Sequence, residues 1–245
     1  MNEILTKLFD KGVEMARDTQ ITDRLGREYI INGYNRIQEP TLPGFKTTSL
    51  VSIVDYIKQK FDRAAAVPGF EHPQFVIHVK SHELVVLTSS VVGVDLEREK
   101  YIASEAEYPS FNFGRFTDQE EFMIALLSKF KESEGRDYVL RIASGIVEGD
   151  EVKTIDNGMS QEITMRQSVG SLVDKEEMIP FVNLVPYRTF LEIEQPASIF
   201  LLRTRKGGLI SLFEADGGKW KIDAKKNIVK FFKENLEDDM YKILY

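Results

Sequence analysis

The chain has 245 residues, 42% hydrophobic and 29% charged, which excludes a disordered chain and leaves enough apolar material for a sizeable core. A formal net charge of −7 at pH 7 disfavours bulk electrostatic binding to nucleic acid, because neutralising phosphates needs clustered Lys and Arg. With no cysteine in the sequence, disulfides, thiolate nucleophiles and Cys-ligated zinc are excluded together.

Residues 2–18 predict a helix, since Leu5, Leu8, Phe9, Val13 and Ala16 share a stripe while Lys7, Asp10, Lys11, Glu14 and Arg17 fall elsewhere; Gly12 weakens it. Its interspersed charges are unlike the apolar core of a signal peptide. No run approaches the roughly 20 apolar residues of a membrane span, so the expectation is a cytoplasmic protein without membrane association. Residues 27–31 read as a short strand before the turn signal Asn32-Gly33. After the break at 40–44, Thr48 or Ser49 offers a cap to a helix that keeps its period through Leu50, Ile53, Val54, Ile57 and Phe61. Pro68, Gly69 and Pro73 make 64–73 the best candidate linker. The division expected is a helical N-terminal segment, 1–66, packed on a β-rich body, 67–245.

Residues 75–80 and 84–92 predict a hairpin across Ser81-His82-Glu83, and 101–108 a weaker strand ended by Pro109. Thr117-Asp118-Gln119-Glu120 reads as a capping box that starts a helix with Phe122, Met123, Leu126, Leu127 and Phe130 inward, ended by Gly135. Residues 138–147 then look like a long buried strand. Segments 152–156 and 159–167 flank Asn157-Gly158, a strong signal for a tight hairpin turn.

The densest pattern spans Pro186 to Leu236. Three strand-like runs are separated at Gln195-Pro196-Ala197 and Gly207-Gly208, and a turn at Asp216-Gly217-Gly218 leads to a closing helix with Asp223 as its cap. Period two places Tyr187, Leu191, Ile193, Phe200, Leu202, Leu209 and Phe213 on a core face. The other face then carries Phe190, Ile199, Leu201, Ile210 and Leu212, mixed with Arg188, Glu192, Glu194, Arg203, Arg205 and Glu214. The fold class expected is α+β: a largely antiparallel sheet body with covering helices.

Chemistry-bearing motifs are sparse. His78 and His82 stand four apart, but on a strand and its turn, where that spacing does not converge on a metal. Nucleophile elbows and phosphate-cradling loops are absent, and Gly217-Gly218-Lys219 reads as a turn. Glu192, Glu194 and Glu214, with Lys219 near in sequence, are the one acidic set that suits Mg²⁺-assisted hydrolysis; alternatively Glu192 and Glu194 offset Arg203 and Arg205 across a strand pair. No catalytic residue, metal ligand or cofactor is assigned. The binding or interface candidates are Arg188, Phe190, Glu192, Glu194, Leu201, Arg203, Arg205, Leu212 and Glu214. An apolar second face of the sheet predicts a homo-oligomer, because large exposed apolar patches tend to be partner surfaces; the competing account is that the N-terminal helices cover that face within the same chain.

Three segments carry a resemblance: Asp156-Asn157-Gly158-Met159-Ser160-Gln161; Pro186-Tyr187-Arg188-Thr189-Phe190 with Glu194-Gln195-Pro196; and Leu212-Phe213-Glu214-Ala215-Asp216-Gly217-Gly218. Over roughly residues 45–236 the chain resembles the YfdQ-like family of phage and prophage proteins, which has no assigned reaction. The resemblance implies a phage or prophage source, expression in a bacterial host cytoplasm, and a host or phage protein as possible partner.

Overall fold

A computed structural model describes residues 2–17, 20–22, 28–30, 35–36, 43–59, 74–90, 98–146, 153–154, 161–166, 173–237 and 241–245. In chain order the elements are α1 (Asn2–Arg17), β1 (Gln20–Thr22), β2 (Glu28–Ile30), β3 (Asn35–Arg36), β4 (Phe45–Thr47), α2 (Val51–Gln59), β5 (Phe75–Val79), β6 (Leu84–Ser89) and β7 (Lys100–Glu105). There follow α3 (Gln119–Lys129), α4 (Glu134–Gly145), β8 (Lys153–Thr154), β9 (Gln161–Arg166), β10 (Val173–Met178), β11 (Phe181–Leu184), β12 (Ser198–Arg205), β13 (Leu209–Glu214), α5 (Trp220–Asn235) and β14 (Tyr241–Leu244). The class is α+β, and strand pairing is antiparallel except at β14·β5 and β4·β7.

Two helix-on-sheet layers hold the two cores. In the first, the sheet runs β14-β5-β6-β7-β4. The expected hairpin forms here: Val79 lies opposite Val85, and the Ser81 hydroxyl accepts from the Glu83 and Leu84 amides. Alternation buries Phe75, Ile77 and Val79 of β5 and, across the ladder, Leu87 and Ile102. Onto that face pack Ile53, Val54, Tyr56 and Ile57 of α2 and Ile228, Val229 and Phe232 of α5. β4 and α2 thus join the same sheet and core as β5–β7, on either side of the predicted linker, which lies outside the described residues. Strand β14, with no counterpart in the sequence reading, closes one edge parallel to β5.

The second layer has the order β11-β12-β13. Its inner face, Val182, Leu184, Phe200, Leu202, Ile210 and Leu212, is buried against Phe122, Leu126 and Phe130 near α3 and Val139, Ile142 and Ala143 of α4. Residues 114–117 pair along the free edge of β13, with Thr117 and Ile210 exchanging both backbone bonds. Smaller ladders, β1-β2-β3 and β10-β9-β8, complete the described strands. Lys153 faces Glu162 and Thr154 faces Gln161, a register centred on Asn157-Gly158; that turn lies outside the described residues, as does Asn32-Gly33.

Five expectations are corrected. The strand expected at 138–147 is helix through Gly145: Ser133 caps α4 by accepting from the Arg136 amide, and Val139, Ile142 and Ala143 fall on one stripe. Gly135 opens that helix instead of ending the previous one. Helix α3 is capped by Asp118, which accepts from the Glu121 amide at 2.8 Å, because the Thr117 backbone is committed to Ile210. The first strand of the terminal sheet is β11, not the run after Pro186, and residues 185–197 form a folded loop between β11 and β12. Finally, α5 covers the five-stranded sheet; it starts at Trp220, leaving Asp223 within its first turn.

The face assignment also shifts by one residue. A turn of Gly207-Gly208 alone would set Lys206 opposite Leu209. Instead Lys206, Gly207 and Gly208 all belong to the turn, both glycines at positive φ, and Arg205 opposes Leu209. One residue of slip exchanges the two faces of β13. Ile210 and Leu212 therefore join Phe200 and Leu202 in the core, and Phe213 joins Leu201 outside.

Candidate functional site

Two features gather the candidate residues: a polar knot between the two layers, and the outer face of the β11–β13 sheet. The knot is centred on Arg188, in the 185–197 loop and only 5% exposed. Its Nη1 donates to Glu214 Oε1 at 2.8 Å, and its Nη2 donates to the Ser198 hydroxyl. The guanidinium carbon lies 3.9 Å from the centre of the Trp220 ring, with Phe200 at 5.4 Å. Ser198 passes the chain of bonds on to Asp216 Oδ2 at 2.8 Å, and Asp216 also accepts from the Gly218 and Trp220 amides, closing the turn that launches α5. Buried Gln195 fastens the loop to itself, accepting from the Arg188 amide and donating to the Phe190 and Ile193 carbonyls.

From the five-stranded layer, the β5–β6 turn meets this knot. The His82 ring stands edge-on to Trp220 at 4.6 Å, its Nε2 is 3.4 Å from Glu83 Oε1, and Glu83 accepts from the Tyr108 hydroxyl. Thr189 donates to the His82 carbonyl. So Arg188 and its neighbours tie β12, β13, the start of α5 and the β5–β6 turn together.

Burial draws the Arg188 pKa down to about 10, against the pull of Glu214 and Asp216, so the group stays a cation at neutral pH. Burial also lowers His82, with Glu83 opposing and Lys221 and Arg188 reinforcing, which leaves the ring neutral. Tyr108 is raised, first by burial and then by its bond to Glu83. For Asp216 burial acts upward, but the bonds from Ser198, Gly218 and Trp220 and the charge of Arg188 hold it below the ordinary range. A carboxylate so held is a weak base, and Ser198 beside it is buried. The knot's chemistry is fastening.

The nine candidate residues divide. Arg188 and Glu214 meet in the knot. Phe190 is buried in the first core and Leu212 in the second. Glu192 reaches a different place: its Oε1 accepts from the Leu50 amide at 2.9 Å, capping α2, where negative charge suits the helix N-terminus. Glu194 is exposed, and its carbonyl accepts from Asn227. Neither glutamate opposes Arg203 or Arg205, whose cross-strand partners are Ser211 and Leu209. Ser198, Gln195, Asp216, Trp220, His82 and Tyr108 were not among the candidates; the signal for two of them, Gln195 and Asp216, was their place beside Arg188 in the segments that carry the resemblance.

On the outer face, Phe181, Leu201 and Phe213 stand in one cross-strand row, with Asn183 and Ile199 in the next. Phe181 is 42% and Ile199 49% exposed, and Leu201 and Phe213 are half-buried. Arg203 and Arg205 follow along β12, the latter with its guanidinium carbon 3.9 Å over the Phe116 ring. A groove of about 420 Å³ lined by Lys58, Glu234, Asn235, Leu236 and Glu237 contains none of the candidates.

Compared with family models, curated proteins and solved structures, the chain matches none. No helix among the described residues is long and apolar enough to cross a membrane.

Proposed function

We propose that the chain is a binding or assembly protein without a reaction of its own, encoded by a phage or prophage, resident in the host cytoplasm and working as a homo-oligomer. The observation that carries this reading is the outer face of β11–β12–β13. Phe181, Ile199, Leu201 and Phe213 form a contiguous apolar surface on a well-packed sheet, the kind of patch that marks a partner surface. The source rests on the resemblance of residues 156–161, 186–190 with 194–196, and 212–218 to the phage family. Within the host, such a module suits an accessory to replication or a protein that sequesters a component of host defence. The alternative, metal-dependent hydrolysis by Glu192, Glu194 and Glu214, is disfavoured by what these residues do: Glu192 caps α2 and Glu214 pairs with Arg188.

Light scattering on the full chain tests the reading. A dimer has twice the single-chain mass of 28.1 kDa. A single-chain mass persisting at tens of micromolar, a concentration at which interfaces of ordinary affinity are filled, would remove self-association from the account.

A further inference from the structure

Helix α1 (Asn2–Arg17) presents a second exposed apolar surface among the described residues. At 100° per residue, Ile4, Leu5, Leu8, Phe9 and Val13 occupy one side, with Gly12 at its centre, and Lys7, Asp10, Lys11 and Glu14 occupy the other. The five apolar side chains are between 39% and 73% exposed. A helix of 16 residues is near the length at which isolated helices are marginal in water, and such helices gain their stability by packing an apolar face.

The charges say what kind of surface this stripe meets. A helix that lies on a lipid surface carries a polar face rich in Lys and Arg. Here Lys7 and Lys11 are balanced by Asp10 and Glu14, which favours a protein surface. The chain itself holds a matching one. The outer face of β11 (Phe181–Leu184), β12 (Ser198–Arg205) and β13 (Leu209–Glu214) is apolar along the Phe181–Leu201–Phe213 row. Its only ionisable groups on the three strands are Arg203 and Arg205. Of the helix's charges, Asp10 lies past the Val13 edge of the stripe and Lys11 past the Ile4 edge, so one orientation across the sheet sets the acidic edge toward these arginines.

We propose that the two surfaces cover each other between two copies of the chain: α1 of one protomer lies on the outer sheet face of its partner, and the reverse. This deepens the self-association proposed above and rests on it. Area supports the pairing. At about 100 Å² per exposed large side chain, the five of the stripe offer about 500 Å²; the sheet face, where Phe181 and Ile199 are exposed and Leu201 and Phe213 half-buried, offers about 300 Å². The reciprocal arrangement, with two stripes and two faces, buries about 1,600 Å² in all, within the range of specific, stable interfaces. A contact between two α1 helices alone buries about 1,000 Å², near the lower limit for a specific interface. A reciprocal contact is also closed and two-fold, the commonest symmetry of soluble oligomers.

Two full-length variants test the proposal: Leu5→Glu with Leu8→Glu on the helix, and Ile199→Glu with Leu201→Glu on the sheet. Each is weighed by light scattering at about 100 µM, where weak contacts are populated, alone and then as an equimolar mixture. Circular dichroism and melting midpoints establish that each is folded. The expected result is the single-chain mass for each variant alone and a higher mass for the mixture, because an intact helix then meets an intact face. If the helix variant remains dimeric by itself, the contact is sheet to sheet, and the proposal fails while self-association stands. If both are single chains and stay so when mixed, the helix does not dock on the sheet, and the proposal also fails. A wild-type chain that is single at the same concentration overturns both readings. Should the sheet pair unfold the chain, the half-exposed position alone, as Ile199→Lys, takes its place in the mixture with the same outcomes.

Discussion

Replacing Arg188 tests whether the knot fastens the two layers. Arg188→Met keeps the length and much of the volume of the buried stem and removes the guanidinium. Three attractions are lost. The pair with Glu214 is worth about 0.5 kcal/mol, discounted because the Glu214 side chain is 42% exposed and screened. The bond to Ser198 contributes about 1 kcal/mol, and the stack on Trp220 about 1–2 kcal/mol for a desolvated cation. Relief of the desolvation that draws the Arg188 pKa to about 10 offsets part of this, so the net loss is about 1–2 kcal/mol. Arg188→Ala also forfeits stem packing and leaves a cavity, for about 3–4 kcal/mol. Urea denaturation followed by tryptophan fluorescence reads both, since Trp220 is the single tryptophan and lies against Arg188. Equal losses for Met and Ala would mean that packing is not the difference between them. A loss below about 0.5 kcal/mol for both would refute the fastening role.

Three further outcomes follow from the same contacts. Glu192→Ala uncaps α2 and lowers stability by about 0.5–1 kcal/mol, with Glu192→Gln costing about half, because the amide oxygen still accepts from Leu50 but the charge is gone; equal denaturation midpoints for all three forms would contradict the cap. Gly135→Ala, favourable by helix propensity, should instead cost about 2 kcal/mol or more, since a Cβ there would stand 2.0 Å from the Asn183 carbonyl oxygen; a higher melting temperature would show that α4 does not approach β11 so closely. Stability should also fall in two steps on acidification. His82 is lowered in the folded chain, so its contribution is complete above its unfolded value of about 6.5 and declines below it. Asp216 is likewise lowered, so its contribution is complete above its unfolded value of about 3.9 and is lost as pH falls through its lower folded value. Melting temperatures from pH 8 to 3 check this, and His82→Gln should weaken the first step; a flat profile from pH 8 to 5 would contradict it.

The parts of the fold legible in the sequence were those fixed by local chemistry. The 81–83 hairpin follows from two β-branched runs around a Ser turn, and the glycines at 207–208 and 217–218 mark real turns with positive φ. Where tertiary packing decides, the reading failed. Residues 138–147 are apolar enough to suggest a strand, yet Val139, Ile142, Ala143 and Ile146 also keep helical spacing. The cap at Ser133 and the face offered by β11–β13 select the helix. A single extra turn residue, Lys206, reversed the inner and outer faces of β13, an outcome that depends on turn geometry more than on composition. The knot was half legible: Arg188 and Glu214 were candidates, but Trp220 against Arg188, and the His82–Glu83–Tyr108 group from the other layer, are brought to them only by the fold.

The central claim, that the outer face of β11–β12–β13 is a contact surface, is tested most directly by chemical accessibility. Because the chain has no cysteine, Ile199→Cys provides a single thiol on that face, and Ala197→Cys provides an exposed control just before β12. Maleimide labelling is timed for each from submicromolar to about 100 µM protein, a range that spans ordinary dimer affinities. The account predicts that labelling at position 199 slows several-fold as concentration rises while position 197 keeps its rate. Equal rates at both positions across the whole range would contradict it.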